Sequence, residues 1–322
     1  MPLPERQLIA QIRRMANRRM RPATGILTGI GDDCAVLEAS PGYEFLVTTD
    51  FCLEGIHFRR DWHTAESAGH RCLARGLSDI AAMGGEPVAV FLSLAVPAKL
   101  PQSWVRGFLR GLIRLAEKHG VTLAGGDTAE SRDGILADII VVGRVRRGEA
   151  ILRSGARPGD RVYVSGELGG SALAVQEMER HPRRKLNPRA YGRHFFPAPR
   201  LQAGRLFRQK KLVSAMIDLS DGLSSDLAHI CEESGVGAEV DAGRIPRARV
   251  GKIEVDLDLA LHGGEDYELL LTVPEGKRVP ERVGGVAMTC VGRITGSHGM
   301  FIRDGRGVRR KLEPQGWEHF RS

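Results

Sequence analysis

Acidic residues recur along this chain wherever an apolar, strand-like run meets Gly, Ser or Thr. In order they read Gly29-Ile30-Gly31-Asp32-Asp33, Thr48-Thr49-Asp50, Leu77-Ser78-Asp79, Gly125-Gly126-Asp127-Thr128, Asp218-Leu219-Ser220-Asp221-Gly222 and Gly263-Gly264-Glu265-Asp266. Aspartate and glutamate are poor strand residues and costly to bury unpaired, so a fold that ends several strands in them uses them together. Hard oxygen donors beside small, flexible backbone suit Mg²⁺ and phosphate, because Mg²⁺ takes one or two carboxylates per ion plus phosphate oxygens. The pattern points to a multi-magnesium phosphoryl-transfer enzyme. A single aspartate of this kind is ordinarily a helix cap or a turn residue. Repetition at strand ends, not any one residue, argues for metal.

The elements between the clusters alternate. Leu8, Ile12 and Met15 predict an amphipathic helix over residues 4–19, and residues 45–49 a strand running into Asp50. Thr64 is placed to cap a helix through Met83, with Asp79 near its C-terminal end. Residues 88–96 read as an apolar strand between prolines, and residues 102–119 as a helix closed by Gly120. A short strand over 121–124 delivers Gly125-Gly126-Asp127, and another covers 137–145. Polar, turn-rich sequence follows, which places a domain junction near 146–150 and divides the chain into 1–148 and 149–322. The second half carries strands at 161–165, 215–218, 267–273 and 287–294, with helices from Gly169, over 201–210 and over 223–234. This alternation gives an α/β or α+β class.

At 322 residues, with 42% apolar and 27% charged, the chain is an ordinary globular protein of about two domains. Its five cysteines (Cys34, Cys52, Cys72, Cys231, Cys290) are scattered without a C-x-x-C pair, which fits reduced thiols in a cytoplasmic protein. No signal peptide and no apolar run of ~18 residues is present, so neither export nor a membrane span is expected. The net charge of +8 owes much to residues 180–211, which hold eleven Arg or Lys and no acid. The stretch carries no recognisable nucleic-acid docking motif, so it reads as a solvated basic face that draws in anionic nucleotide, with no nucleic-acid partner. The absence of Gly-x-x-x-x-Gly-Lys-Ser/Thr removes a P-loop kinase, and no strand is followed by Gly-x-Gly-x-x-Gly.

Nine segments, in order, resemble thiamine-monophosphate kinases. They are Gly29-Ile30-Gly31-Asp32-Asp33-Cys34-Ala35, Thr48-Thr49-Asp50, Glu54-Gly55-Ile56-His57-Phe58, Leu77-Ser78-Asp79-Ile80-Ala81-Ala82-Met83-Gly84 and Gly125-Gly126-Asp127-Thr128. Arg153-Ser154-Gly155-Ala156, Ile217-Asp218-Leu219-Ser220-Asp221-Gly222-Leu223, Gly263-Gly264-Glu265-Asp266-Tyr267-Glu268-Leu269 and Gly316-Trp317-Glu318-His319-Phe320 continue the series. The family is grouped with aminoimidazole ribonucleotide synthetase and selenophosphate synthetase. The resemblance implies a two-domain fold whose N-terminal sheet pairs across a homodimer, with a larger C-terminal α/β domain and with ATP and several Mg²⁺ ions in a cleft between the domains. It further implies direct transfer of the ATP γ-phosphoryl group to thiamine monophosphate.

By the same resemblance Asp33, Asp50, Asp79, Asp127, Asp218 and Asp221 are metal ligands, helped by oxygens of Thr48 and Thr49. Either aspartate of the Asp32/Asp33 pair would serve, and Asp33 is favoured. Gly125, Gly126, Asp127, Arg153 and Ser220 are ATP-binding residues, although Ala129 stands where the family usually has a second Thr. His57, Glu265 and Trp317 are substrate-binding residues, since a planar cationic thiazolium favours an aromatic face and a carboxylate. No residue is expected as a general base, because the attacking phosphate oxygen is already anionic. Selenophosphate synthetase would want a reactive Cys in the N-terminal loop, and residues 1–28 contain none. A hydrogenase-maturation relative would need a C-terminal Cys. Aminoimidazole ribonucleotide synthetase is the runner-up, but lacks the Glu-Gly-x-His-Phe and terminal Trp pattern seen here.

Overall fold

A computed structural model describes residues 41–317 together with residues 11, 14–15, 26–28 and 36–37. The Asp32/Asp33 motif and most of the helix expected over residues 4–19 lie outside the described residues. Two compact units emerge. The first contains Gly85–Gly148, Phe195–Pro197 and the chain up to Ile80, and the second Ala81–Gly84, Glu149–His194 and the chain from Ala198.

In the first unit, β1 (Ile26–Thr28) and β2 (Val36–Leu37) form a short antiparallel ladder. The main sheet comprises β3 (Tyr43–Leu53), β4 (Glu86–Pro97), β5 (Thr122–Ser131) and β6 (Leu136–Arg146) in the order β3-β6-β4-β5. Only β4 and β5 run parallel, joined through helix α2 (Gln102–His119). Helix α1 (Ala65–Ala82) starts where the Thr64 hydroxyl accepts the Ser67 N–H at 3.1 Å, and it lies on the sheet with Ile80 beside Gly143. Side-chain alternation along β3 is clear: Leu46, Thr48, Asp50 and Cys52 face inward, whereas Phe45, Val47, Thr49 and Phe51 are exposed.

Two acidic motifs differ from the sequence expectation. Asp50 lies within β3 rather than at its end, opposite Ile139 of β6, because the long partner strand continues the ladder through Leu53. Gly125-Gly126-Asp127 likewise lies inside β5, paired with Phe91, Leu92 and Ser93 of β4. Gly126 has φ of 144°, and a Cβ there would sit 1.9 Å from the Leu92 carbonyl oxygen. The glycine is thus required first by strand pairing, whatever else approaches it.

The second unit is built on β7 (Arg161–Ser165), β8 (Ala215–Asp218), β9 (Gly237–Asp241), the small hairpin β10 (Arg249–Val250) and β11 (Ile253–Glu254), β12 (Leu269–Val273), β13 (Arg282–Val283), β14 (Val286–Thr295), β15 (Gly299–Arg303) and β16 (Arg309–Lys311). The large sheet runs β16-β15-β9-β14-β7-β12-β8, with β13 on β14 and only β9 and β15 parallel. Its helices are α3 (Gly170–Arg180), α4 (Gly192–Phe195), α5 (Leu201–Gln209), α6 (Leu223–Ser234) and α7 (Leu257–His262). Both units are therefore mixed α/β, as the alternation implied.

The basic stretch is not a uniform solvated face. Arg200 reaches the buried Glu268 carboxylate through its Nε at 2.7 Å. Arg208, itself buried, donates to Glu149 at 2.6 Å and to the Gly84 carbonyl at 2.8 Å. Arg183, Arg184, Lys185 and Arg189 remain exposed. Arg200 thus pairs with the buried Glu268, and the half-exposed Glu149 pairs with the buried Arg208.

Candidate active site

Each unit presents its own acidic group. In the first unit, the inward period of β3 puts Thr48 and Asp50 on the face covered by α1. The Thr48 hydroxyl donates to the Asp79 carboxylate on α1. Asp50 lies 3.6 Å from the Arg75 guanidinium, four residues before Asp79 on the same helix. Thr49 points to the opposite, exposed face, away from Thr48 and Asp50. Asp127 is exposed on β5, and its carboxylate accepts the Thr128 N–H at 2.8 Å. His57 follows β3 in a turn where its Nδ1 accepts the Leu53 N–H at 3.0 Å, which leaves the ring proton on Nε2.

In the second unit, β8 ends at the buried Asp218, and the chain turns through Ser220, Asp221 and Gly222 into α6. The neighbouring glycine-rich loop is sewn to this turn, with Glu265 N–H donating to Ser220 O at 2.7 Å and Tyr267 N–H to Leu219 O at 2.9 Å. Glu265 and Tyr267 both take left-handed backbone, with φ of 65° and 51°. Strain of this order, about 1–3 kcal/mol per residue, collects at functional sites. Trp317 donates its N–H to Asp221 O at 3.1 Å, while its side chain is 58% exposed. The backbone of Arg153 lies at the far end of α6, where its carbonyl accepts the Ser234 hydroxyl at 3.2 Å. Arg153 and Ser220 are thus separated by a helix of roughly 18 Å, a span that a nucleotide and a long side chain would have to bridge.

Three acids to which sequence reasoning gave no role shape this half. Asp226, in the first turn of α6, is buried, and its carboxyl is raised well above the usual range by that burial and by the charges of Asp218 and Asp221. Asp266 accepts the N–H groups of Gly169 and Ser171 at 2.6 and 3.3 Å, and burial pushes it up to about 7. Glu268 accepts from the Ser165 hydroxyl at 2.5 Å as well as from Arg200. Asp266 and Glu268 lie within the Gly263–Leu269 motif without a role having been read for them, whereas Asp226 falls outside every quoted motif.

Among the described residues, no three His, Cys, Asp or Glu side chains gather closely enough to hold a metal ion. In the first unit Asp79 accepts from the Thr48 hydroxyl, Asp50 lies beside Arg75, and Asp127 accepts its neighbour's N–H. The second unit still fits a hard dication. The charges of Asp218 and Asp221 raise the cost of ionising Asp226, and a divalent cation held by Asp218 and Asp221 would relieve that excess.

Residues 31–145 match the AIR synthase related protein, N-terminal domain, and residues 157–305 its C-terminal domain. The thiamine-monophosphate kinase of Salmonella typhimurium is 38% identical over 306 residues, covering 91% of this chain and 92% of that protein. The Bacillus subtilis thiamine-monophosphate kinase is also 38% identical, over 76% of this chain and 77% of its own. The crystal structure of thiamine-monophosphate kinase from Stenotrophomonas maltophilia superposes with a TM-score of 0.80 at 33% identity, covering 94% of this chain and 97% of that one. AaThiL complexed with AMPPCP and TMP gives 0.76 at 30% identity, covering 99% of both chains. The E. coli hydrogenase maturation protein HypE, at 17% identity and a TM-score of 0.76 over 98% of both chains, shares the fold. The chain belongs to the thiamine-monophosphate kinases, within the AIR synthase related family.

Proposed function

We propose, from that membership, that the chain transfers the γ-phosphoryl group of ATP directly to the phosphate of thiamine monophosphate, giving ADP and thiamine diphosphate. The observation that carries the reading is the 38% identity to a thiamine-monophosphate kinase over nine-tenths of the chain. A solved relative complexed with AMPPCP and TMP supports the pairing of an ATP-like nucleotide with this acceptor.

Asp33, Asp50, Asp79 and Asp127, with oxygens of Thr48 and Thr49, and Asp218 and Asp221 in the second unit, would hold Mg²⁺. Bound there, Mg²⁺ neutralises charge on two phosphate-bearing reactants that otherwise repel each other. Gly125, Gly126, Asp127, Arg153 and Ser220 bind ATP, the arginine as a bidentate phosphate donor. His57 offers Nε2–H to the acceptor, Glu265 sets a carboxylate against the cationic thiazolium, and the Trp317 indole provides an aromatic face. No side chain removes a proton, because the attacking oxygen is already ionised. Catalysis is positioning plus charge neutralisation.

Residues 1–148 and 149–322 divide these tasks as two domains of a cytoplasmic enzyme. No described helix is long and apolar enough to cross a membrane. The exposed Phe45, Val47 and Phe51 on one face of β3 favour a homodimer formed through that sheet.

Incubation with thiamine monophosphate, ATP and Mg²⁺, followed by chromatography, is expected to yield thiamine diphosphate and ADP in equal amounts, and none in EDTA. Nucleotide binding without that product, or turnover of a ribonucleotide substrate in its place, overturns the proposal.

A further inference from the structure

We propose that Asp226 is a positioning residue that fixes Asp221 and Trp317 for the reaction without itself touching substrate or metal. One oxygen of its carboxylate, Oδ2, accepts both the Asp221 N–H at 3.2 Å and the Gly222 N–H at 3.0 Å. The Asp221 carbonyl in turn accepts the Trp317 N–H at 3.1 Å. Asp226 therefore holds the peptide units on both sides of Asp221, and Trp317 is bound to the carbonyl of the second. The segment before Trp317 is tied to the same helix, Gln315 N–H donating to Ser224 Oγ at 3.3 Å and Gly316 N–H to Ser225 Oγ at 3.0 Å.

The turn cannot relax into another shape at low cost. Gly222 has φ of 113°, and a Cβ there would lie 2.8 Å from the carbonyl carbon and oxygen of His262. Asp226 is 1% exposed, so its carboxylate makes these bonds away from bulk water. The bond from the Gly222 N–H is what a capping acid in the first helical turn makes, since Gly222 is the N-cap of α6. The bond from the Asp221 N–H goes one residue further back, to the residue whose carboxylate is assigned to metal. The inference rests on the kinase reading, because it takes Asp221 as a metal ligand and Trp317 as a substrate contact.

Three variants separate position from charge. Asp226→Asn keeps an acceptor oxygen in the place of Oδ2 and removes the charge. Asp226→Glu keeps the charge and moves the acceptor by one methylene, and Asp226→Ala removes both. Asn is expected to hold kcat within about threefold, whereas Glu and Ala lose on the order of 10- to 100-fold in kcat with little change in the KM for ATP. Amide hydrogen exchange over residues 219–223, followed by mass spectrometry without substrate, is expected to stay slow in Asn and to accelerate in Glu and Ala. If Ala does not fold, the Asn and Glu pair decides. Loss of activity in Asn with retention in Glu would make the charge the operative feature and overturn the proposal. So would unchanged exchange and turnover in all variants. If the wild type makes no thiamine diphosphate, the kinase reading fails, and amide exchange still decides whether Asp226 holds the turn.

Discussion

The Thr48 hydroxyl on β3 donates a hydrogen bond to the Asp79 carboxylate on α1. The bond ties an inward-facing strand position to a helix position thirty-one residues later, and both ends belong to the proposed metal set. A carboxylate oriented by a hydroxyl presents its other oxygen in a fixed direction, and such supporting partners are typically worth about 10- to 100-fold in metal affinity or activity. Thr48→Val, nearly isosteric, is expected to raise the Mg²⁺ concentration for half-maximal rate by roughly tenfold. Asp79→Asn is expected to abolish turnover, with the circular-dichroism spectrum unchanged. Equal Mg²⁺ requirements in wild type and Thr48→Val would remove Thr48 from the site.

Trp317 offers a cleaner separation of binding from folding. Its indole is exposed, and its anchor is a backbone N–H that alanine also supplies. Trp317→Ala is therefore expected to shift stability by less than about 0.5 kcal/mol. The same change should raise the KM for thiamine monophosphate by roughly tenfold or more through loss of the cationic ring's aromatic contact. The KM for ATP should hold. Equal increases in both constants would place Trp317 elsewhere in the chemistry.

Asp266 gives the protein a pH signature. Its carboxyl, fully buried, titrates near 7 in the folded chain against a usual 3.8. The folded state thus holds the proton more tightly than the unfolded one. This group's contribution is complete below about pH 4 and is lost as pH rises through 7. Asp266→Asn cannot ionise, so its stability should lack that component. Between pH 5 and pH 8, wild type is expected to lose on the order of 1–3 kcal/mol relative to the variant in urea denaturation. Parallel pH profiles would show that Asp266 stays ionised throughout.

The chain's sequence was most legible where one local rule governed. The helix Gln102–His119 has Trp104, Phe108, Leu112 and Leu115 in register and a glycine beyond its end, and it forms over those residues. The strands Arg161–Ser165 and Ala215–Asp218 and the helix Leu223–Ser234 are equally plain, being short apolar runs or a helix between glycines. Gly125-Gly126 misled because glycine pairs signal turns, whereas here a parallel neighbour leaves no room for a side chain. The short strands β9, β15 and β16 and helix α7 were missed because non-local sheet pairing stabilises them more than propensity does. Among site residues, the motifs pointed to the carboxylates. Asp226, Asp266 and Glu268 act on backbone groups or arginines distant in sequence or in the turn before them, and no spacing rule announces such partners.

The outer face of β3 carries the last expectation. Phe45, Val47 and Phe51 alternate along the strand and are 48%, 65% and 60% exposed. An edge strand that shows a row of large apolar side chains to water is an aggregation hazard unless something covers it. A second copy of the same sheet would cover it symmetrically, and specific interfaces of this kind bury roughly 1,200–2,000 Å² in total. Val47→Glu places a charge at the centre of the row. In an isolated chain the carboxylate would remain in water, at a cost of less than about 0.5 kcal/mol. At a dimer interface it would be buried opposite its own symmetry mate, where like charges oppose association. Sedimentation velocity is therefore expected to show a dimer for wild type and a monomer for Val47→Glu at the same concentration, with both folded by circular dichroism. A wild type that sediments as a monomer at tens of micromolar, or a variant that remains dimeric, would assign the apolar row to another role.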